Sequence, residues 1–335
     1  MDVQEATGID VRFISDEGDQ EHRLEDLPAL LARDDGIVWV DVPVPDERAE
    51  TMLREVFGFH PLAVRDAMER NHVPKLHAYR DHVALVLHAP ERGEGGHVHY
   101  VELDQFIGPG YLVTVHGPLN PKAPPEAALR ETGAVLRRIR SGRLRPSTPF
   151  ELSYAIVSSL TRHEEGFVAT LAREVGLLEQ EVMRGELGDP EHFLEQLFRT
   201  RHQLVAVRTM AAQSREIYGR MLALARLIPA TAGPLVEDLV DQYERVRSVA
   251  DGQREFLQGV IEFYRTRTET KMTIAAERLA VIAVVTLPIT ALSSIYGMNV
   301  IVNGRTDFPH LTVVLAVMAT MSAILLRWAK RQGWW

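Results

Sequence analysis

Residues 279–302, LAVIAVVTLPITALSSIYGMNVIV, form a run of 24 positions without a charged side chain. About 20 apolar residues carry a helix across the hydrocarbon core of a bilayer, and soluble core helices rarely run so long uncharged, so the run reads as a membrane span. A second apolar run, residues 311–326, LTVVLAVMATMSAILL, has 16 residues and reaches 19 if it begins at Phe308. It is closed by Arg327, Trp328, Lys330 and Arg331, whose long stems and indole suit the headgroup layer, so it reads as the return crossing. Thr306 or Asp307 can cap it, with Pro309 in its first turn.

Charge sets the orientation. The tail beyond Leu326 carries Arg327, Lys330 and Arg331, whereas the loop between the spans carries only Arg305, near Asp307. The positive-inside rule places that tail in the cytoplasm, and two crossings return the chain to its starting side. A multi-pass protein of the plasma membrane with both termini cytoplasmic is therefore expected. The N-terminal MDVQEATGID has neither a basic nor an apolar segment, so no cleaved signal is expected. Two spans cannot enclose a pore, so conduction would need a symmetric oligomer.

The mean hydropathy of −0.09 hides this architecture, because it averages a charged first 270 residues with an apolar end. A net charge of −9 argues against a nucleic-acid partner and is compatible with cations. The absence of cysteine excludes disulfides, thiolate metal sites and cysteine nucleophiles.

Before the membrane, residues 1–148 read as an α/β domain. Strands are expected at 11–15 (VRFIS), 36–42 (GIVWVDV) and 82–89 (HVALVLHA), and two more in VELDQFIGPGYLVTVH, joined at Gly108-Pro109-Gly110. Helical periodicity marks residues 47–57 and 61–70. Residues 149–278 change to long helices forming a stalk. One of them follows Asp189-Pro190-Glu191, which supplies an N-cap and a first-turn proline. Another starts near Pro234 and meets no proline until Pro288, so stalk and first span read as one helix, roughly 95 Å long at 1.5 Å per residue. The remaining expected parts are the first span with its motif (279–302), an external loop (303–310), a second span (311–328) and a basic tail (329–335). The alternative is a helical bundle joined to separate anchors at Gly252 or Gly259.

An asparagine at the end of an apolar run needs explaining, because a buried amide without partners costs several kcal/mol. Asn299 follows Gly297 and Met298 and can cap a helix C-terminus. It can equally offer its amide oxygen to a hydrated cation. Mg²⁺ releases its waters reluctantly, so carbonyl and amide oxygens around an intact hydrate suit it better than a carboxylate cage. Along the same helix Thr273, Ala276, Leu279, Ala283, Leu287, Thr290 and Ser294 share one stripe, polar at its ends and apolar between, as a pore with a hydrophobic constriction requires. Small residues on one face also serve helix packing.

Tyr296-Gly297-Met298-Asn299 at the outer end of the first of two C-terminal spans resembles the signature of the CorA family of divalent-cation transporters. FGFHPLAVRDAMERNHVPKLHAYRDHVALVLHA, residues 57–89, is similar to that family's first-domain signature. The resemblance covers nearly the whole chain. It implies a funnel-shaped α+β membrane protein, a homopentamer whose five first spans line the pore, with Gly297, Met298 and Asn299 as selectivity filter. It also implies passive influx of hydrated Mg²⁺, with Co²⁺ or Ni²⁺ as lesser substrates. Family members sense cytoplasmic Mg²⁺ at carboxylates between subunits. EDLVDQYERV, residues 237–246, resembles that stretch and makes Asp238 and Asp241 candidate regulatory ligands, with Glu91 or Glu94 as the first-domain partner. Glu237, Asp238 and Asp241 can also be a solvated helix face.

Two departures leave the ion open. Thr273 stands where members often have Asn, and VIVNGRTDFPH replaces an acidic loop, with Asp307 its one carboxylate. ZntB-like members, which move Zn²⁺ with or without protons, are the alternative. His97-x-His99 would put two imidazoles on one strand face, but two ligands fall short of a zinc site and solvated histidines are expected. No Walker loop, Gly-x-Ser-x-Gly or His-Glu-x-x-His occurs, and His163-Glu164-Glu165 lacks the second His, so no enzyme is expected. A membrane-anchored adaptor that transports nothing would account for the spans but not for the motif.

Overall fold

Runs of β-branched and aromatic residues pair into one seven-stranded sheet, because such side chains fill a pleated surface well. Its strands are β1 (Asp10–Ser15), β2 (Gly18–His22), β3 (Gly36–Val42), β4 (Lys75–Ala78), β5 (Val83–Arg92), β6 (Val98–Gly108) and β7 (Tyr111–Val115). Their order is β2-β1-β3-β7-β6-β5-β4, antiparallel throughout except for β3 beside β7. The structure is a computed structural model, which describes residues 8–118, 120–185, 189–224, 228–297, 301–302, 305–306 and 308–331. Two compact units divide the chain, residues 1–260 and 261–335.

The expected strands form where the apolar pattern places them, and β6 turns into β7 through Pro109-Gly110. Gly110 has φ 77°, the left-handed value that the third position of such a turn requires. The two edge strands escape the pattern. β2 is GDQEH, without an apolar residue, and β4 is four residues long. β2 pairs through its backbone with β1, and Arg12 binds Asp10 (2.8 Å) and Asp19 (2.9 Å) across that edge.

Helices cover both faces of the sheet. On one side lie α1 (Leu27–Leu31), α2 (Glu47–Thr51) and α3 (Pro61–Met68), packed over Val40, Phe106 and Val113. The helix expected over residues 47–57 is two pieces, because a π-helical turn, Met52–Val56, succeeds α2. On the other side lie α5 (Arg130–Arg140), preceded by the short α4 (Pro125–Ala128), and the long α6 (Pro149–Arg184), α7 (Pro190–Leu222) and α8 (Gly233–Gly297). Trp39, Leu85, Leu87 and Leu112 of the sheet share a core with Leu152, Ile156 and Leu160 of α6 and Tyr243 of α8.

Local chemistry sets the helix ends. The Thr148 side chain accepts the Glu151 N–H at 3.2 Å, Pro149 occupies the first turn, and Gly185 (φ 79°) ends α6 in the left-handed conformation. Asp189 caps α7 by accepting the Glu191 N–H at 3.0 Å, with Pro190 behind it, as the sequence predicts. α8 is one helix of 65 residues with Pro288 inside it. Its buried apolar residues in the first unit, Val236, Leu239, Tyr243, Val246, Ala250, Leu257 and Val260, repeat at three, four and seven, the period of a packed helix seam.

In the second unit, α8 runs to Gly297 and is followed by α9 (Phe308–Arg331). Between them β8 (Ile301–Val302) pairs antiparallel with β9 (Arg305–Thr306).

Glu164 lies fully buried on α6, and neither of its carboxyl oxygens has a hydrogen-bond partner among the described residues. Burial, then the charges of Glu131 and Glu165, push its pKa well above the ordinary 4.5. A carboxyl raised on folding holds its proton longer in the folded than in the unfolded chain, so stability falls as pH climbs from 4.5 towards the raised value. Glu164→Gln keeps the shape without the titration. Its advantage over the parent is expected to be small near pH 4.5 and to grow by about 1.4 kcal/mol per pH unit above it until the raised value is reached. Thermal unfolding at pH 5 and pH 8 checks this; equal differences at both would refute it.

Candidate ion pathway

The described residues contain two helices long and apolar enough to cross a membrane, in the segments Ala230–Ile295 and Leu311–Arg331, each with a best window of mean hydropathy 1.9. Their windows are 6% and 0% buried, which separates them from the core helix of a soluble protein. Leaving Met272, Leu279, Ile282, Leu287 and Ile295 open to water would forgo roughly 25 cal/mol for each Å² of apolar surface.

Within the second unit the cover on α8 is one-sided. Val281 is 8% exposed, and Val284, Val285, Pro288 and Leu292 are half-buried, all on one face. On α9 the covered residues are Val314, Met318, Met321, Ser322, Leu325 and Ala329, again one face. These are the faces two antiparallel helices turn to each other.

Counting about 100° per residue, Ala276, Leu279, Ala283, Leu287, Thr290 and Ser294 fall on the opposite side of α8, with Thr273 at its edge. Leu279 and Leu287 are each 67% exposed, and Thr290 and Ser294 are exposed too. Ala283 is half-covered. Thr290 satisfies its hydroxyl by donating to the Thr286 carbonyl at 2.8 Å, and Thr273 does the same to Glu269 at 3.0 Å. Their acceptor lone pairs remain open to water or a hydrated ion. Gly297 is the last residue of α8, while Met298 and Asn299 lie outside the described residues.

The candidate regulatory carboxylates do not converge in one chain. Asp238 is half-buried on α8, and its Oδ2 accepts the Tyr154 hydroxyl (2.7 Å) and the Gln242 amide (2.5 Å). Those two bonds, with Arg245 nearby, hold its carboxyl below the ordinary range despite partial burial. Asp241, one turn on, is exposed. Glu91, at the end of β5, lies 2.7 Å from Arg130 of α5, a contact of charge more than of aligned hydrogen bonding. Glu94 is exposed in the turn before β6. No group of three or more carboxylates or histidines that could hold a metal occurs among the described residues.

Gln242 is legible in the sequence as the residue one turn beyond Asp238. Tyr154, 84 residues away, carries no such signal. His97 and His99 differ from expectation: His97 precedes β6, and His99 is buried inside it, 4.9 Å from the His97 ring. Burial, then His97, lower its pKa and favour the neutral ring.

The family model described as "CorA-like Mg2+ transporter protein" matches residues 34–331. The chain is 24% identical over 298 residues to the protein YfjQ of Bacillus subtilis, covering 88% of this chain and 89% of that one. It is also 24% identical over 337 residues to the cobalt/magnesium transport protein CorA of Thermotoga maritima, covering 97% and 92%. Among solved structures, the complete CorA magnesium transporter of Methanocaldococcus jannaschii superposes with a TM-score of 0.80 at 17% identity, covering 98% of this chain and 99% of that one. The fold is therefore the same.

The chain has no cysteine, so an introduced one is unique. In membranes, Leu287→Cys is expected to react with a charged, water-soluble thiol reagent, whereas Val285→Cys, on the covered face, is not. Intact mass after labelling reads this directly, and equal labelling of the two would remove the stripe from any aqueous path.

Proposed function

The chain belongs to the CorA-like Mg²⁺ transporter family, whose members are transporters and not enzymes, and on that premise we propose that five copies form a pore admitting Mg²⁺ to the cytoplasm. The observation that carries this reading is the placement of the stripe. It occupies the face of α8 that α9 leaves uncovered and leads to Gly297, directly before Met298 and Asn299. A face that is neither covered by its own chain nor uniformly apolar needs water or other copies of itself beside it. Five such faces around an axis give a lumen, polar at Thr290 and Ser294 and narrowed by Leu287 and Leu279.

In this reading the ion enters as a hydrate. A ring of Asn299 amides and Gly297 carbonyls exchanges hydrogen bonds with its waters without stripping them, which favours a strongly hydrated ion. Co²⁺ and Ni²⁺ follow as lesser substrates. Below, Leu287 and Leu279 exclude water when the ring is tight, so the closed state is a dewetted constriction. The inside-negative membrane potential drives the flow inward, the lipid bilayer covers the outer faces, and both termini lie in the cytoplasm.

Cytoplasmic Mg²⁺ closes the pore in the same proposal. Asp238 is ionised, and its Oδ1 has no protein partner among the described residues, so it can turn to an ion shared with a neighbouring copy. Asp241 beside it, and Glu91 or Glu94 from the adjoining subunit, would complete the site. Carboxylates gathered there repel, and a divalent ion removes that repulsion, favouring the closed assembly.

Asn299→Ala is expected to lower Mg²⁺ uptake into liposomes by about tenfold or more, a barrier change near 1.4 kcal/mol, while the pentamer mass is unchanged. Near-normal uptake would sink the filter assignment, and Zn²⁺ uptake exceeding Mg²⁺ uptake in the parent protein would replace the ion. For the regulatory site, Mg²⁺ is expected to protect the parent protein against trypsin more than it protects Asp238→Asn. Identical protection would remove Asp238 from the sensor.

A further inference from the structure

Four arginines line one cleft of the first unit, and none of them forms a close ion pair among the described residues. Arg138 lies in the last turn of α5, Arg145 in the loop before α6, Arg162 on α6 and Arg245 on α8, and all four line a cavity of about 490 Å³. Among the described residues, none of their guanidiniums has a carboxylate within 4.0 Å or a side-chain hydrogen bond. Elsewhere on the long helices some arginines are paired, as Arg208 is with Asp251 (2.5 Å), Arg215 with Glu244 (2.7 Å) and Arg199 with Glu195 (2.5 Å), and others are single, but only here do four share one cavity among those described. In a chain with 46 acidic and 37 basic residues, acids are not scarce. Two carboxylates share the cleft. They are Glu151, whose Oε2 accepts the Ser147 N–H at 2.7 Å, and Glu165, and with Asp238 beside the wall the four cations still outnumber the acids.

Like charges drawn together from four separate segments repel one another, and an anion between them removes that repulsion. Arginine's planar fork binds phosphate oxygens two at a time, and a cavity of this size lies within the usual range for small-molecule sites. The rest of the wall agrees in chemistry: Ser158, Thr161 and Gln242 supply neutral polar groups, and Leu144, Pro146 and Leu235 an apolar side. We propose that this cleft binds a soluble ligand carrying two or more linked phosphates.

The site adjoins the candidate sensor. Tyr154 and Gln242, which hold Asp238, are both part of the cleft wall, and Arg245 is the cation nearest that carboxylate in effect. A bound phosphate chain competes for Arg245 and Gln242 and loosens their hold on Asp238. That coupling rests on the regulatory role proposed for Asp238; the binding itself does not.

Titration calorimetry tests the binding on the full chain in detergent, free of divalent ions and at physiological salt, with inorganic tripolyphosphate and ATP as probes. Saturable binding is expected, weakened about tenfold or more in R162Q/R245Q and unchanged in R173Q, which alters the same helix outside the cleft. Equal affinity for the two probes assigns recognition to the phosphates alone, and tighter ATP binding adds the apolar wall. No saturable binding of either probe at millimolar concentration overturns the proposal, as does unchanged binding in R162Q/R245Q. An R162Q/R245Q oligomer that dissociates while still binding the probes overturns it too, and returns the arginines to a contact between copies.

Discussion

An apolar helix that its own chain can cover on only one side governs this molecule. α9 supplies cover for the face containing Val281, Val285 and Leu292, and a single partner helix has nothing left for the rest. Lipid can satisfy an apolar face, and it offers Thr290 and Ser294 no donor for the lone pairs their hydroxyls leave open. The composition of that helix face is what the proposed assembly rests on, and conduction follows if the face meets copies of itself.

The same helix meets a different solvent in the first unit. There its buried seam, from Val236 to Val260, packs with α6 and α7 over the sheet, so the residue types change from Leu, Val and Tyr inside to charged groups outside. Some polar groups trapped in that core are paired, as Gln242 is with Thr161 and Ser158, or Ser153 with Gln105, while the hydroxyls of Ser214, Tyr218 and Tyr243 have no partner among the described residues. The Glu164 carboxyl has none either. Two buried tyrosines, Tyr218 and Tyr243, stack 5.8 Å apart beyond it. Wherever this core is dry, a charge on α6 is costly, which ties its packing to its protonation.

Much of the fold is legible in the sequence because it rests on local rules. Apolar runs mark the buried strands, Pro109-Gly110 marks the turn, and Asp189-Pro190 and the proline-free stretch before Pro288 fix α7 and α8. What escapes is held by the rest of the fold. β2 is a strand because β1 offers an edge, and no property of GDQEH announces it. His99 is buried because β6 begins one residue earlier, putting His97 outside the strand and His99 within. Of the candidate site, the stripe could be read by period alone, but which side of the helix α9 covers could not. The partners of Asp238 and Glu91 depend on Tyr154 and Arg130, brought close only by tertiary packing.

Pro288 sits on the covered face of α8, next in sequence to Leu287. Its nitrogen carries no hydrogen, so the Val284 carbonyl lacks the bond that every neighbouring turn makes. The helix is therefore not a uniform rod. Bending at that turn breaks one hydrogen bond fewer than bending elsewhere in the membrane, and α9 stands beside it as the only backing among the described residues. Within the second unit, the segment of α8 beyond Pro288 can therefore tilt apart from the segment before it. The molecule thus has mechanical compliance one residue past Leu287, where a small change in angle displaces the side chains that follow.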